Sequence, residues 1–298
     1  MKLLSVVTPA GPRLAAHTSD GITVFADQME IPDAPARSLP LTLDELVLSE
    51  GGIEKASEAL DTAVAFAGTH SLFRPENEVV IGRPYKPGNI FCVGKNYKAH
   101  AEEGGGEAPT SPIFFAKWNG CAIGPCEPIL IPPLTKEVDY EAELAVVIGK
   151  TCRNASKENA ADFIAGYTCL NDISARDFQR MDGQWSRAKS QDTFGPFGPC
   201  IVTKDDIADP QDLSIRCSVN GRMLQNSNTC NMIFSVYELI EFISRGITLR
   251  PGDILSTGTP DGVGFAQKPP VFLEDGDEVV VEIAGVGTLR NPVRGGSQ

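Results

Sequence analysis

Apolar residues recur along this chain mostly in short runs with a period of two, the spacing of strands with one or both faces covered. Such runs fall at Leu3–Val7, Arg13–His17, Ile22–Ala26, Ile90–Val93, Ile113–Ala116, Ile129–Ile131, Tyr140–Ile148, Gly166–Asn171, Cys200–Thr203, Ser214–Val219, Asp253–Ser256 and Glu278–Ile283. Helical spacing is rarer. It predicts helices at Leu41–Leu48, at Ile53–Ala67 on Ile53, Ala56, Leu60, Val64 and Ala67, and at Ser156–Ile164 behind the capping residues Asn154 and Ser156. A fourth, Ser235–Ser244, buries Val236, Leu239, Ile240 and Ile243 and ends at Gly246. Many strands and few helices predict an α+β, β-rich roll or barrel, not a doubly wound sheet.

The loop Gly82–Gly88, rich in Arg, Pro and Gly, divides the chain. Residues 1–82 read as a small N-terminal α+β domain, and residues 88–294 as the main domain. The chain has 298 residues, and a hydrophobic content of 42% supports a real core. The net charge of -13 excludes nucleic acid as a partner, and any site for an acidic ligand must bring its own cations. No segment reaches the roughly 20 apolar residues of a membrane helix, and the start reads as a first strand rather than a signal peptide. Eight cysteines without a CxxC pair predict reduced thiols in an intracellular protein and no thiolate zinc site.

One strand concentrates the chemistry. Glu141 and Glu143 share a face that turns apolar at once with Ala145 and Val147. Two neighbouring carboxylates raise each other's pKa unless a cation lies between them, so the pair predicts a metal. Asp172, at the end of the run Gly166–Asn171, can complete an all-oxygen set; taken alone it reads as a helix cap for Ser174–Arg180. Oxygen ligands without His or Cys favour magnesium, manganese or calcium. His100 has Glu103 one helical turn on, within reach of its ring. A carboxylate-oriented imidazole is a natural general base, although the same stretch also reads as an exposed polar loop. The glycines that follow, Gly104–Gly106, predict the hinge of a lid. Lys189 and Arg176 are candidate cations for a substrate carboxylate, with surface charge as the plainer reading. The turn Gly258–Gly264 offers backbone N–H groups to an anionic oxygen. Aromatic placement puts distal specificity near Phe91, Trp118, Trp185 and Phe265.

In order along the chain, VGKNYKAHAEE, DYEAELAVVIGK, GYTCLNDISARDFQ, WSRAKSQDTFGPFGP, VNGRMLQNSNT and STGTPDGVGF resemble the fumarylacetoacetate hydrolase (FAH) family. The likeness is strongest to its domain-containing proteins with an extra N-terminal region and to diene-dioate isomerases. It implies an FAH-type mixed β-sandwich roll, a homodimer and bound Mg2+ or Mn2+. It implies Glu141, Glu143 and Asp172 as metal ligands, and His100, Glu103 and Lys189 as catalytic residues. Arg176, Gln179 and Thr259 match positions that bind substrate. The implied substrate is a small 2-oxo acid, and the leading activity is hydrolytic C–C cleavage of an acylpyruvate or fumarylacetoacetate-like acid through a metal-bound enolate. The same constellation serves an oxaloacetate tautomerase or decarboxylase, or a 2-hydroxy-diene-dioate isomerase. A catalytically silent metal- or ligand-binding dimer is the reading from another class. The expected location is cytoplasmic, or mitochondrial in a eukaryote.

Overall fold

A computed structural model describes residues 1–295. Its larger sheet has eleven strands. The main path runs Gly21–Val24, Gly11–Thr18, Lys2–Thr8, Gly195–Thr203, Ile164–Asn171, Ala142–Ile148, Ile254–Ser256, Ile90–Gly94 and Ile113–Lys117. The first three come from the N-terminal region, and Lys2–Thr8 pairs antiparallel with Gly195–Thr203, Leu3 opposite Ile201. A second sheet of five strands runs Arg222–Asn228, Ser214–Val219, Glu278–Ile283, Gly287–Gly295 and Ile129–Ile131.

Strand Ala142–Ile148 is buried along its whole length, so its two faces feed two cores. Leu144, Val146 and Ile148 join Cys169, Ile215, Cys217 and Val281 in the space between the sheets. Helix Val236–Ser244 adds Leu239, Ile240 and Ile243 to that core. On the other face Ala145 and Val147 join Leu3, Phe197 and Ile201 beneath helix Gly52–Thr69. That helix starts where Gly51 turns left-handed at φ 63°, and a Cβ on Gly52 would lie 2.0 Å from the Leu46 carbonyl oxygen. Its Leu60 is 1% exposed, and removing such a side chain costs about 2–5 kcal/mol.

Several expected elements differ. Residues 156–164 form no α-helix. Asn159 ties back to the Ser156 N–H, a short 3₁₀ turn covers Ala160–Phe163, and Ile164 already belongs to the next strand. Helix Val236–Ser244, by contrast, matches the expected span, with Ser235 as its N-cap. Strands Arg222–Asn228 and Gly287–Gly295 were not anticipated. All eight cysteines are free; six are buried, and Cys126 and Cys230 are exposed.

Candidate active site

Strand register brings the acids together. Ala142 pairs with Asn171, which sets Asp172 opposite Glu141, whose carbonyl accepts the Asp172 N–H at 2.9 Å. Side chains opposed across antiparallel strands lie close enough to interact directly. Glu143 follows on the Glu141 face. All three carboxylates are buried, and one oxygen from each lies within 4.8 Å of the others. Hard oxygen donors at that spacing fit a divalent cation of the magnesium or calcium type.

Three cations share the space. Lys189 Nζ donates to Glu141 Oε2 at 2.6 Å and to Asp172 Oδ2 at 2.7 Å. Lys117 Nζ donates to Asp172 Oδ1 at 2.6 Å from the end of strand Ile113–Lys117. Arg176, first residue of helix Arg176–Asp182, donates to Glu141 Oε1 at 2.6 Å, Asp139 Oδ2 at 2.8 Å and Gln179 Oε1 at 3.0 Å. Its guanidinium also lies over the Phe265 ring at 4.7 Å. Burial opposes the charge on Glu141, but Lys189 and Arg176 outweigh it and hold its carboxyl below the ordinary range. Burial, then the charges of Asp172 and Glu141, push Glu143 up to about 8. That imbalance on Glu143 is the kind a bound cation relieves.

His100 and Glu103 sit on the short helix Lys98–Glu103. The ring's Nδ1 donates to Glu103 Oε1 at 2.8 Å, which leaves Nε2 as the basic nitrogen. Glu103 Oε2 accepts the Gly262 N–H at 2.8 Å, so one carboxylate both orients the ring and holds the helix to the turn. Four N–H groups in and beside the turn bind the protein's own acids. Gly258 N–H reaches Glu143, Gly262 N–H reaches Glu103, and Gly264 and Phe265 N–H reach Asp139. Gly262 has φ 98°, and a Cβ there would lie 2.1 Å from the Leu224 carbonyl oxygen. Thr259 Oγ1 donates to the Ala142 carbonyl and accepts from Gln225, which also accepts the Ala142 N–H.

A cavity of about 100 Å³ opens over these groups. His100, Glu141, Glu143, Arg176, Gln179, Lys189 and Thr259 all line it, so most residues expected at the site meet in one place; Asp172 and Glu103 lie one contact behind. Trp185 and Phe265 form its apolar walls, with Trp185 stacked over the bare Gly94. Phe91 and Trp118 do not line it. Phe91 is in the inter-sheet core and Trp118 is 60% exposed. Sequence reading missed Lys117, Asp139 and Gln225. Asp139 stands two residues before Glu141, and that spacing carried a usable clue; Lys117 and Gln225 become visible only through tertiary contact.

Residues 89–294 match the family described as fumarylacetoacetate (FAA) hydrolase C-terminal, and the chain belongs to that family. It is 43% identical over 284 residues to the oxaloacetate tautomerase fahd2, mitochondrial, of Xenopus laevis, covering 95% of this chain and 86% of that one. Among solved structures it is similar to the fumarylacetoacetate hydrolase of Exiguobacterium antarcticum, with a TM-score of 0.83 and 35% identity over 99% of this chain and all of that one. It is also similar to the 2-hydroxyhepta-2,4-diene-1,7-dioate isomerase of Mycobacterium marinum, with a TM-score of 0.73 and 35% identity over the full length of both. Among the described residues no helix is long and apolar enough to cross a membrane.

Proposed function

We propose that the protein is a metal-dependent tautomerase of a short 2-oxo acid, with oxaloacetate as its substrate. The observation that carries this reading is one oriented base, His100 on Glu103, over a cavity of about 100 Å³ that also exposes the acid cluster. A cavity of that size suits a four-carbon acid. The 43% identity to an oxaloacetate tautomerase over nearly the whole chain supports the same substrate.

Mg2+ or Mn2+ held by Glu141, Glu143 and Asp172 would supply Lewis acidity toward the 1-carboxylate and 2-oxo oxygen. The chain's own residues do the rest. In the ketone-to-enol direction His100 Nε2 takes a proton from C3, the C3–H electron pair becomes the C2=C3 bond, and the imidazolium returns that proton to the 2-oxygen. In the enol-to-ketone direction each transfer is reversed, O2–H being lost as C3–H forms. Glu103 stabilises the imidazolium formed in between. Lys189 and Arg176 keep positive charge beside the acids, and Gln179 fixes one edge of the guanidinium. Thr259 borders the substrate, with its own proton committed to the Ala142 carbonyl. Trp185 and Phe265 limit water. Decarboxylation of oxaloacetate would start from the same bound acid. The family likeness also leads us to propose a homodimer in the cytoplasm or, as the Xenopus relative's name has it, the mitochondrion.

Hydrolytic C–C cleavage of an acylpyruvate is the second reading. The overall likeness to a fumarylacetoacetate hydrolase favours it, and the same dyad can take its proton from water.

The test follows the ultraviolet absorbance of enol-oxaloacetate with magnesium present. Wild type is expected to speed its decay, and His100→Ala to lose about 10²–10⁴-fold of that rate. A parallel assay scores pyruvate released from acylpyruvates. Pyruvate release without enol decay would replace the first reading with the second. No effect on either substrate would leave the silent, binding-only reading.

A further inference from the structure

Resting on the tautomerase reading, we propose that Lys95 receives the far carboxylate of the substrate and so selects 2-oxo diacids over monoacids. Three cationic side chains line the cavity besides His100. Arg176 is shared between Asp139 and Glu141, and Lys189 between Glu141 and Asp172. Among the described residues, Lys95 is the one lysine or arginine of the cavity with no carboxylate within 4.0 Å. The protein carries a net charge of -13, so an ammonium left without a counter-ion inside a pocket is conspicuous. A strongly hydrated cation brought under cover gains most when an anion joins it.

The backbone supports the assignment. Lys95 has φ 55°, a left-handed conformation that lysine seldom adopts. This bend turns the chain out of strand Ile90–Gly94 and into the His100 helix. It also places Nζ against the lid glycines, 3.1 Å from where a Cβ on Gly106 would stand. Any side chain at Gly106 would crowd the ammonium, so the glycine keeps room beside it. Lys95 and the acids Glu141 and Glu143 line the same cavity. The substrates named for the Xenopus and Mycobacterium relatives, an oxaloacetate and a dioate, both carry a second carboxylate.

The experiment compares oxaloacetate with its 4-methyl ester, in which a methyl group caps the far carboxylate and removes its charge. Dissociation constants are read from quenching of tryptophan fluorescence, Trp185 being part of the wall, in magnesium-loaded wild type, Lys95→Met and Lys95→Arg. Wild type is expected to prefer the diacid by about tenfold or more, the scale of one hydrogen bond between charged groups. Lys95→Met is expected to abolish that preference, and Lys95→Arg to keep it. A preference retained in Lys95→Met overturns the proposal. So does a wild type that binds both acids equally, or neither. Enol decay is scored separately. A preference that depends on Lys95 without faster enol decay sinks the tautomerase reading and leaves this assignment standing.

Discussion

Glu141 keeps its charge in a buried site because two cations reach it from different elements. Arg176 holds one oxygen and Lys189 the other, each at 2.6 Å, and all three side chains are at most 5% exposed. Neutralising only the acid leaves two buried cations short of a partner. Glu141→Gln is therefore expected to destabilise the metal-free protein by about 3–5 kcal/mol, the usual range for breaking a buried pair from one side. Urea unfolding in a chelator measures it. A loss below about 1 kcal/mol would mean that Asp139 and Asp172 suffice to compensate Arg176 and Lys189.

At the level of elements, helix Val236–Ser244 shows how far local chemistry decides structure. Ser235 accepts the Glu238 N–H, and Glu238 reaches back to the Ser235 N–H and hydroxyl. Ser235→Ala is expected to cost about 1 kcal/mol in thermal unfolding. Lys157, then Ser235, hold the Glu238 carboxyl down at about 2 from an ordinary 4.5. A depressed folded-state value gives stability that is full above about 4.5 and is lost as the pH falls toward about 2. The gap between wild type and Glu238→Gln should thus narrow on acidification; a gap that widens would refute the assignment. The apolar period made this helix legible in the sequence; the capping box itself went unread, although its two partners lie three residues apart. Residues 156–164 carried similar capping residues, yet there Ile164 is taken into the central sheet, and tertiary pairing overrides local preference. Strand Arg222–Asn228 escaped notice because its side chains are mostly polar and only one of the seven is buried, although Asn220-Gly221, with φ 50° and 77°, marks a tight hairpin turn. The acid triad was legible because a period of two and one strand end define it. Lys117, Gln225 and the Lys95 bend depend on chain segments far apart in sequence, and no local pattern announces them.

On the scale of the whole molecule, the N-terminal region and the family domain share one sheet. We propose that residues 1–82 and 88–294 are distinct regions of sequence that fold as one unit. Strand Lys2–Thr8 lies between Gly11–Thr18 and Gly195–Thr203, and Leu3 and Leu14 pack in the same core as Ile201 and Val147. Removing residues 1–82 would bare a long edge strand and an apolar face together. The truncated chain is expected to aggregate or to melt well below the full protein, as light scattering and circular dichroism would report. A soluble fragment with the melting temperature of the full chain would show the two regions to be autonomous.

The turn Gly258–Phe265 lends its amide protons to Glu143, Glu103 and Asp139. The carboxylate proposed as an ion ligand, the one that orients the proposed base and the one that anchors the guanidinium thus hang from one short length of main chain. Damage there would not dim one function at a time: a shift of the loop would mis-set all three at once, so variants along it should fall into working and dead, with few grades between.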